Sequence, residues 1–225
     1  MGFARPQVDL SLQHGDRPEM TLRPAGMWIA AALGVNLLLA AIILAALGAD
    51  IHGTRTALRV TARVSFLWFW AAYAGGALTT LFGGAFLPLK QHGREFGLAF
   101  AAALLVHLCL VSWLCWIGAA PAVGVFVFFG TAAVFAYLLA ICSFGNLHSM
   151  LGPHRWQLLR MIGMNFILCA FLKDFAQSPL LGGGWHFVEY VSFAAMAIMA
   201  ALLRLAAWGT GSGIQRGNSA RKHQN

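Results

Sequence analysis

Long apolar runs with hardly any interruption are the feature that most constrains how this chain folds. Residues 27–49 contain no charged side chain, and similar runs recur along the sequence. A membrane-spanning α-helix needs about 20 mostly apolar residues, and backbone groups that face lipid must be hydrogen-bonded within their own segment. The alternation of polar and apolar residues that marks a transmembrane β-barrel is missing. The runs therefore predict membrane-spanning α-helices.

Composition supports the same class of protein. Of the 225 residues, 60% are hydrophobic and 10% are charged, whereas about 25% are charged in an ordinary soluble domain. The prediction is an all-α integral membrane protein with a six-helix transmembrane bundle. The predicted spans are 27–49, 63–82, 96–117, 121–144, 157–176 and 185–208. The predicted connections are 50–62, 83–95, 118–120, 145–156 and 177–184, which leave no room for a soluble domain.

The domain organisation follows from these spans. Residues 1–26 are expected to form a cytoplasmic N-terminal tail, because they lack the basic stretch and apolar core of a signal peptide. Residues 27–208 form the six-helix domain, and residues 209–225 form a cytoplasmic C-terminal tail. We find no internal repeat, so the sequence does not support an inverted-repeat transporter.

The distribution of cations predicts the orientation, because short cytoplasmic loops collect Lys and Arg. The outer side holds Arg55 and Arg59, with Arg63 at the membrane edge. The expected inner side holds Arg5, Arg17, Arg23, Lys90, Arg94, Arg155, Arg216, Arg221 and Lys222. Both ends are therefore predicted to be cytoplasmic. The net charge of +8 is explained by this rule and by attraction to anionic lipid heads, so the expected partner is membrane lipid and not nucleic acid.

Ionisable residues at membrane depth carry the functional signal, since burying them in hydrocarbon costs several kcal/mol without a partner or cofactor. They are His107 in the third span, Arg160, Lys173 and Asp174 in the fifth, and His186 and Glu189 in the sixth. All four cysteines also fall inside predicted spans, with no CxxC pair, and are expected to be free thiols in the core.

The residues alone allow two interpretations of His107. Its neighbours in the third span are leucines and valine, which offer no side-chain acceptor. The imidazole therefore either forms a hydrogen bond with another helix or coordinates heme iron, as histidines in helical bundles do.

A second candidate functional site is a polar cluster at the outer ends of the fifth and sixth spans. Lys173, Asp174, His186 and Glu189 are expected near the same membrane surface. Such a cluster has the chemistry of a proton or quinone site. It is equally typical of a solvated rim, and Lys173 and Asp174 are suited to a structural ion pair. A small-solute transporter is a third class, for which this cluster is the sole indication.

Two motifs resemble a known family. The run GREFGLAF at 93–100, with His107 after it, resembles the third helix of the ferric reductase-like transmembrane family, which includes the membrane subunit that feeds periplasmic methionine-sulfoxide reductase. The run LGPHRW at 151–156 resembles the segment that enters the fifth helix of that family, and residues 58–82 resemble its second helix. The resemblance covers about 55–175 and implies a carrier of heme b held between histidines of helices three and five.

Several ligand positions depart from the family pattern. His107 matches the outer-side histidine of the third helix, whereas the two fifth-helix histidines are replaced by Arg160 and Lys173. The inner-side position of the third helix is Gly93, with His92 one place out of register. A guanidinium stays protonated and cannot ligate iron, so at most one heme is expected.

The opposite ligand to His107 is left open. Burial can deprotonate a lysine, which would allow ligation by Lys173, but the neighbouring Asp174 favours the ammonium form. His107 alone would give a five-coordinate heme. A soft ligand from the fifth helix is the remaining alternative, with the candidates Met161, Met164 and Cys169.

The sequence contains no catalytic nucleophile with its base, no phosphate-cradling loop and no dinucleotide fingerprint, so no catalytic residue is predicted. Flavin or NAD(P)H chemistry would belong to a separate reductase or electron-acceptor protein. The predicted function is a cytochrome b-type electron-transfer subunit of a bacterial-type inner (plasma) membrane. The alternative is a non-heme descendant of the same scaffold that acts as a structural or assembly partner.

Overall fold

The computed structural model describes residues 22–144, 150, 152–177 and 184–222, with side chains for 25–143, 150, 152–176 and 190–210. Every element in these ranges is helical, which confirms the all-α prediction. The helices are α1 (Leu22–Leu47), α2 (Ile51–Phe82), α3 (Leu87–Gln91), α4 (Gly93–Trp116), α5 (Val123–Phe144), α6 (Pro153–Gln177) and α7 (Gly184–Lys222). A 3-10 helix, Gly83–Phe86, joins α2 to α3.

Five helical segments are long and apolar enough to cross a membrane. They are Ala25–Leu47, Ile51–Gln91, Gly93–Trp116, Val123–Ser143 and Tyr190–Thr210. By length and composition the chain is therefore a multi-pass membrane protein. α6 is not among the five, and its charged side chains are Arg155, Arg160, Lys173 and Asp174.

Contacts between helices show how the bundle is arranged. The ring of Trp28, near the start of α1, lies 5.2 Å from that of Phe96, near the start of α4. We call this end of the bundle the Lys90 end. The opposite end, where α1 ends and α2 begins, is the Asp50 end.

α2 and α7 run in the same direction. Near the Asp50 end the Arg63 guanidinium lies 5.0 Å from the centroid of the Tyr190 ring. Towards the Lys90 end the Arg204 guanidinium lies 4.6 Å from the Tyr73 ring. α6 runs the length of the same bundle, since Arg160 lies at the Lys90 end and Phe175 contacts Phe66 in α2 at 5.1 Å between ring centroids.

The predicted connection 50–62 is helical, because α2 begins at Ile51. The Asp50 side chain caps the helix and accepts a hydrogen bond from the Gly53 N–H at 2.8 Å. Thr54 and Ala57 are fully buried, so packing also stabilises the first turns of α2. At 1.5 Å per residue the 32 residues of α2 extend about 48 Å, well beyond the roughly 30 Å of hydrocarbon.

The predicted connection 83–95 is also more ordered than expected. It contains the 3-10 helix and α3, and α4 begins at Gly93. The Thr79 hydroxyl donates to the Phe86 carbonyl at 2.9 Å. α2 and α3 approach so closely that a Cβ on Gly75 would lie 2.9 Å from the Leu89 carbonyl oxygen.

The structure describes few residues of the predicted N-terminal tail and most residues of the predicted C-terminal tail. Residues 1–21 lie outside the described part of the chain. At the other end, α7 continues as a helix to Lys222, whereas a tail was predicted from residue 209.

A cluster of phenylalanines joins α2, α4, α6 and α7. The Phe66 ring contacts the rings of Phe171 and Phe175 at 5.1 Å between centroids, and the Phe69 ring lies 5.3 Å from that of Phe100. Van der Waals packing of this kind is a main source of helix association in lipid. The cluster fixes the distance between α2, α4 and α6, and two cavities lie among these helices.

The outer surface of the bundle is apolar. Large side chains that are exposed there include Leu38, Ile42, Val127, Ile141, Leu202 and Leu205. All four cysteines are free, as predicted, but Cys109 and Cys169 are exposed on this outer surface and are not in the core.

Candidate functional site

Two partly open cavities lie between α2, α4, α5 and α6, one towards each end of the bundle. The cavity nearer the Asp50 end has a volume of about 320 Å³ and contains His107 in its wall. The cavity nearer the Lys90 end has a volume of about 360 Å³ and is lined by Lys90, Arg94 and Arg160. We call them the His107 cavity and the basic cavity. Phe100 and Ile167 line both cavities and separate them.

Thr61 of α2 is the cross-helix partner of His107. The Thr61 hydroxyl oxygen lies 3.3 Å from His107 Nδ1 and 2.9 Å from the Ala57 carbonyl oxygen. The Thr61 hydroxyl also lies 3.2 Å from the Leu58 carbonyl oxygen, and the Leu58 backbone is a second hydrogen-bond partner of the His107 ring. Which of Thr61 and His107 donates in their contact depends on the imidazole tautomer.

Small side chains create the space of the His107 cavity. Its wall includes Ala62 of α2, Gly130 and Ala133 of α5, and Ala170 of α6. A Cβ on Gly130 would meet no atom within 4 Å. The remaining wall is almost entirely apolar, and a volume of about 320 Å³ lies within the range of roughly 300–1,000 Å³ typical of ligand pockets.

Charged groups occur in the wall towards the Asp50 end. Arg59 and Asp174 both line the cavity, and Asp174 is also within electrostatic range of Arg63. The Arg63 guanidinium contacts the rings of Tyr190 and Phe193, at 5.0 and 5.9 Å from their centroids. Arg63 therefore connects α2 to both α6 and α7.

Lys173, the predicted partner of His107, points elsewhere. Its ammonium nitrogen lies 4.2 Å from the centroid of the Phe128 ring in α5, a cation–π contact. Of the two neighbouring residues, Asp174 and not Lys173 belongs to the described wall of the His107 cavity. The structure does not bring His107 and Lys173 together in that wall.

The soft-ligand candidates are also away from this cavity. Met164 lines the basic cavity, and Met161 and Cys169 are exposed on the bundle surface. Across the described residues there is no group of three or more His, Cys, Asp or Glu side chains that would hold a metal ion. The described wall of the His107 cavity contains one histidine, so it offers one imidazole to a bound heme and not two.

The other members of the predicted outer cluster lie in α7. His186 and Glu189 belong to its first turns, next to Tyr190. Their side chains lie outside the described part of the structure. A cluster of these two residues with Asp174 therefore stays a prediction.

Sequence reasoning missed the polar face of α2. Thr54, Thr61 and Ser65 are at most 1% exposed, and their spacing of seven and four residues places them on one side of the helix. The signal was present in the sequence, because threonines at this spacing in an otherwise apolar helix indicate a face that contacts another polar group. His107 contacts Thr61 of this face.

Sequence reasoning also missed the basic cavity. Arg94 was treated as an interface cation, and Arg160 as a residue unable to ligate iron. The structure places them with Lys90 around one space, although they come from three different helices. A single sequence contains no signal for this convergence.

No protein-family profile, no curated protein and no solved structure matches this chain. The resemblance to the ferric reductase-like family therefore stays a prediction that rests on the quoted motifs.

Proposed function

We propose that this chain is a ferric reductase-like, cytochrome b-type membrane subunit that carries electrons through at most one heme b, held by His107. One observation carries the proposal. His107 lies in the wall of an apolar cavity, and its Nδ1 is held by Thr61 at 3.3 Å. Histidines that ligate metals almost always donate their other ring N–H to a fixed acceptor, and the Thr61 hydroxyl is placed to serve as that acceptor for His107.

Each group around the cavity has a definite part in this proposal. His107 would hold the iron through Nε2, and Thr61 would fix the orientation of the ring. Arg59 would supply positive charge for the acidic groups of the macrocycle. Phe100 and Phe171 would exclude water. The bound heme would supply reversible one-electron chemistry.

We further propose that α6 is a sixth membrane span and that both termini are cytoplasmic. Charge supports this orientation, because cytoplasmic loops are enriched in Lys and Arg. The Asp50 end carries Arg55, Arg59 and Arg63, and the Lys90 end carries Lys90, Arg94, Arg155, Arg160 and Arg204. The bacterial-type inner (plasma) membrane and a separate reductase or electron-acceptor protein are the corresponding location and partner.

The deciding experiment is a reduced-minus-oxidised absorption spectrum of the purified full-length protein. We expect a Soret band and sharp α and β bands, which the substitution His107→Ala abolishes. His154→Ala is the matched control, because His154 is exposed at the start of α6 and outside both cavities. A colourless preparation from heme-replete cells would exclude the heme function.

A non-heme structural or assembly partner is the second candidate. Two observations favour it: Thr61 already satisfies the imidazole of His107, and no second histidine is in the described cavity wall. This candidate predicts a colourless protein in which His107→Ala lowers stability. It also predicts a membrane partner that is recovered with the wild-type chain in stoichiometric amount.

A further inference from the structure

The basic cavity brings three cations together at the Lys90 end of the bundle. Lys90 comes from α3, Arg94 from α4 and Arg160 from α6, and all three line one space of about 360 Å³. No acidic side chain is in the wall that the structure describes. Glu95 adjoins Arg94 in sequence, but its carboxylate lies 3.9 Å from the His92 ring and is outside the cavity lining.

Further positive charge lies next to this cavity. Arg204 of α7 is within electrostatic range of Arg160. The side chains of Lys90 and Arg160 are exposed and that of Arg94 is partly buried, so the cations line the mouth of the cavity. Arginine is the side chain best suited to bind the oxygens of a phosphate or carboxylate, because its planar guanidinium forms two parallel hydrogen bonds. The cavity is therefore suited to an anionic group.

The deeper wall of the basic cavity has a different character. It is formed by Phe69, Phe100, Met164 and Ile167. The lining of the whole cavity also contains the polar side chains of Gln91 and Ser143. A ligand that fits this division has an anionic head and an apolar chain. Basic pockets between membrane helices on the cytoplasmic side are typical binding sites for anionic lipid headgroups.

We propose that the basic cavity binds a phosphate ester group between Lys90, Arg94 and Arg160, supplied by an anionic phospholipid whose chain lies against Phe100 and Ile167. The site is independent of heme, since it uses neither His107 nor Thr61. Free inorganic phosphate offers the same headgroup chemistry without the apolar chain. The test below separates the two sources.

The experiment uses the full-length protein in a neutral detergent. Phosphatidylglycerol, phosphatidylcholine and inorganic phosphate are added separately, and retained ligand is measured by native mass spectrometry together with the thermal unfolding temperature. We expect phosphatidylglycerol to be retained and to raise the unfolding temperature more than phosphatidylcholine does. An equal effect of inorganic phosphate alone would support the phosphate site and assign it to a soluble anion.

Three variants locate the binding. Arg160→Gln removes one cation and should weaken phosphatidylglycerol binding about fivefold, which corresponds to about 1 kcal/mol for a cation near an anionic headgroup. Gly97→Leu should weaken binding without a change in charge, because a Cβ on Gly97 meets no atom within 4 Å and a larger side chain would occupy the cavity. Arg155→Gln is the matched control, since Arg155 is exposed at the same end but outside the cavity.

The outcomes decide the proposal. Retention of phosphatidylglycerol that is lowered by Arg160→Gln and Gly97→Leu, and unchanged by Arg155→Gln, supports it. Equal retention of phosphatidylcholine and phosphatidylglycerol overturns it, and so does equal weakening by Arg155→Gln. Loss of the heme spectrum has no bearing on these results, so failure of this site and failure of the electron-carrier function are distinguishable.

Discussion

The His107 cavity and the basic cavity share four lining helices, α2, α4, α5 and α6, but differ in chemistry, and α3 contributes to the basic cavity alone. Their volumes are close, about 320 and 360 Å³, and Phe100 and Ile167 contribute to both. The His107 cavity is mainly apolar and contains one imidazole, one cation and one carboxyl group in its wall, whereas the basic cavity has three cations and no acidic group in its described wall. The comparison teaches that backbone arrangement provides the space, whereas a few side chains decide which ligand chemistry the space accepts.

The largest expected effect comes from filling each cavity in turn. Gly130→Leu should abolish heme absorption, because Gly130 faces the His107 cavity and a Cβ there meets nothing within 4 Å. Gly97→Leu should leave the spectrum intact. Absorption spectra of the two purified variants test this, with Gly124→Leu as a control on α5 outside both cavities. Equal loss of heme in Gly97→Leu and Gly130→Leu would show that the cavities do not act separately.

The next largest effect is expected from a shift of α3, which contains Lys90. Gly75→Ala places a Cβ 2.9 Å from the Leu89 carbonyl oxygen, so α3 must shift, and overpacking of this kind costs about 1–3 kcal/mol. Gly76→Ala is the matched control, because a Cβ there meets nothing within 4 Å. We expect a lower unfolding temperature and weaker phosphatidylglycerol binding for Gly75→Ala alone. Similar behaviour of both variants would remove the α2–α3 contact as the element that positions Lys90.

A smaller effect is expected from the hydrogen bond in the other cavity. Thr61→Val removes the hydroxyl that lies 3.3 Å from His107 Nδ1, and interhelical hydrogen bonds in membranes contribute about 0.6 kcal/mol on average and about 1.7 kcal/mol at most. If His107 holds heme, the reduction potential should also change, because the ring loses its fixed orientation.

Ser65→Ala is the control for Thr61→Val, since the Ser65 hydroxyl donates within α2 to the Thr61 carbonyl at 2.7 Å. A spectroelectrochemical titration measures the potential. A potential unchanged in Thr61→Val, alongside a lowered stability, would favour the structural role of His107.

The sequence predicted the helical class because the length and apolar composition of a run are enough to indicate a membrane-spanning helix. It did not predict that α2 begins at Ile51, because the Asp50 cap was overlooked. It identified His107 as a residue needing a partner but did not find Thr61, which lies 46 positions away.

The remaining features depend on how helices face one another. Arg160 was recognised as unable to ligate iron, yet its association with Lys90 and Arg94 required the packing of α3, α4 and α6. The resemblance to the ferric reductase-like family placed Lys173 opposite His107, whereas the Lys173 side chain lies against Phe128. The position of a residue along a helix does not determine the direction of its flexible side chain.

The smallest expected effect separates Lys173 from the His107 cavity. Lys173→Met keeps most of the side-chain length but removes the ammonium group that lies 4.2 Å from the Phe128 ring centroid. The loss of one cation–π contact should cost about 0.5 kcal/mol, measured as a small fall in unfolding temperature. Phe128→Leu should produce a similar fall, and the double variant should add little, because both remove the same contact. Since Lys173 is not in the cavity wall, the heme spectrum should not change. A change of spin state in Lys173→Met would instead identify the lysine amine as an iron ligand, and would mean that α6 turns Lys173 towards His107 when heme is bound.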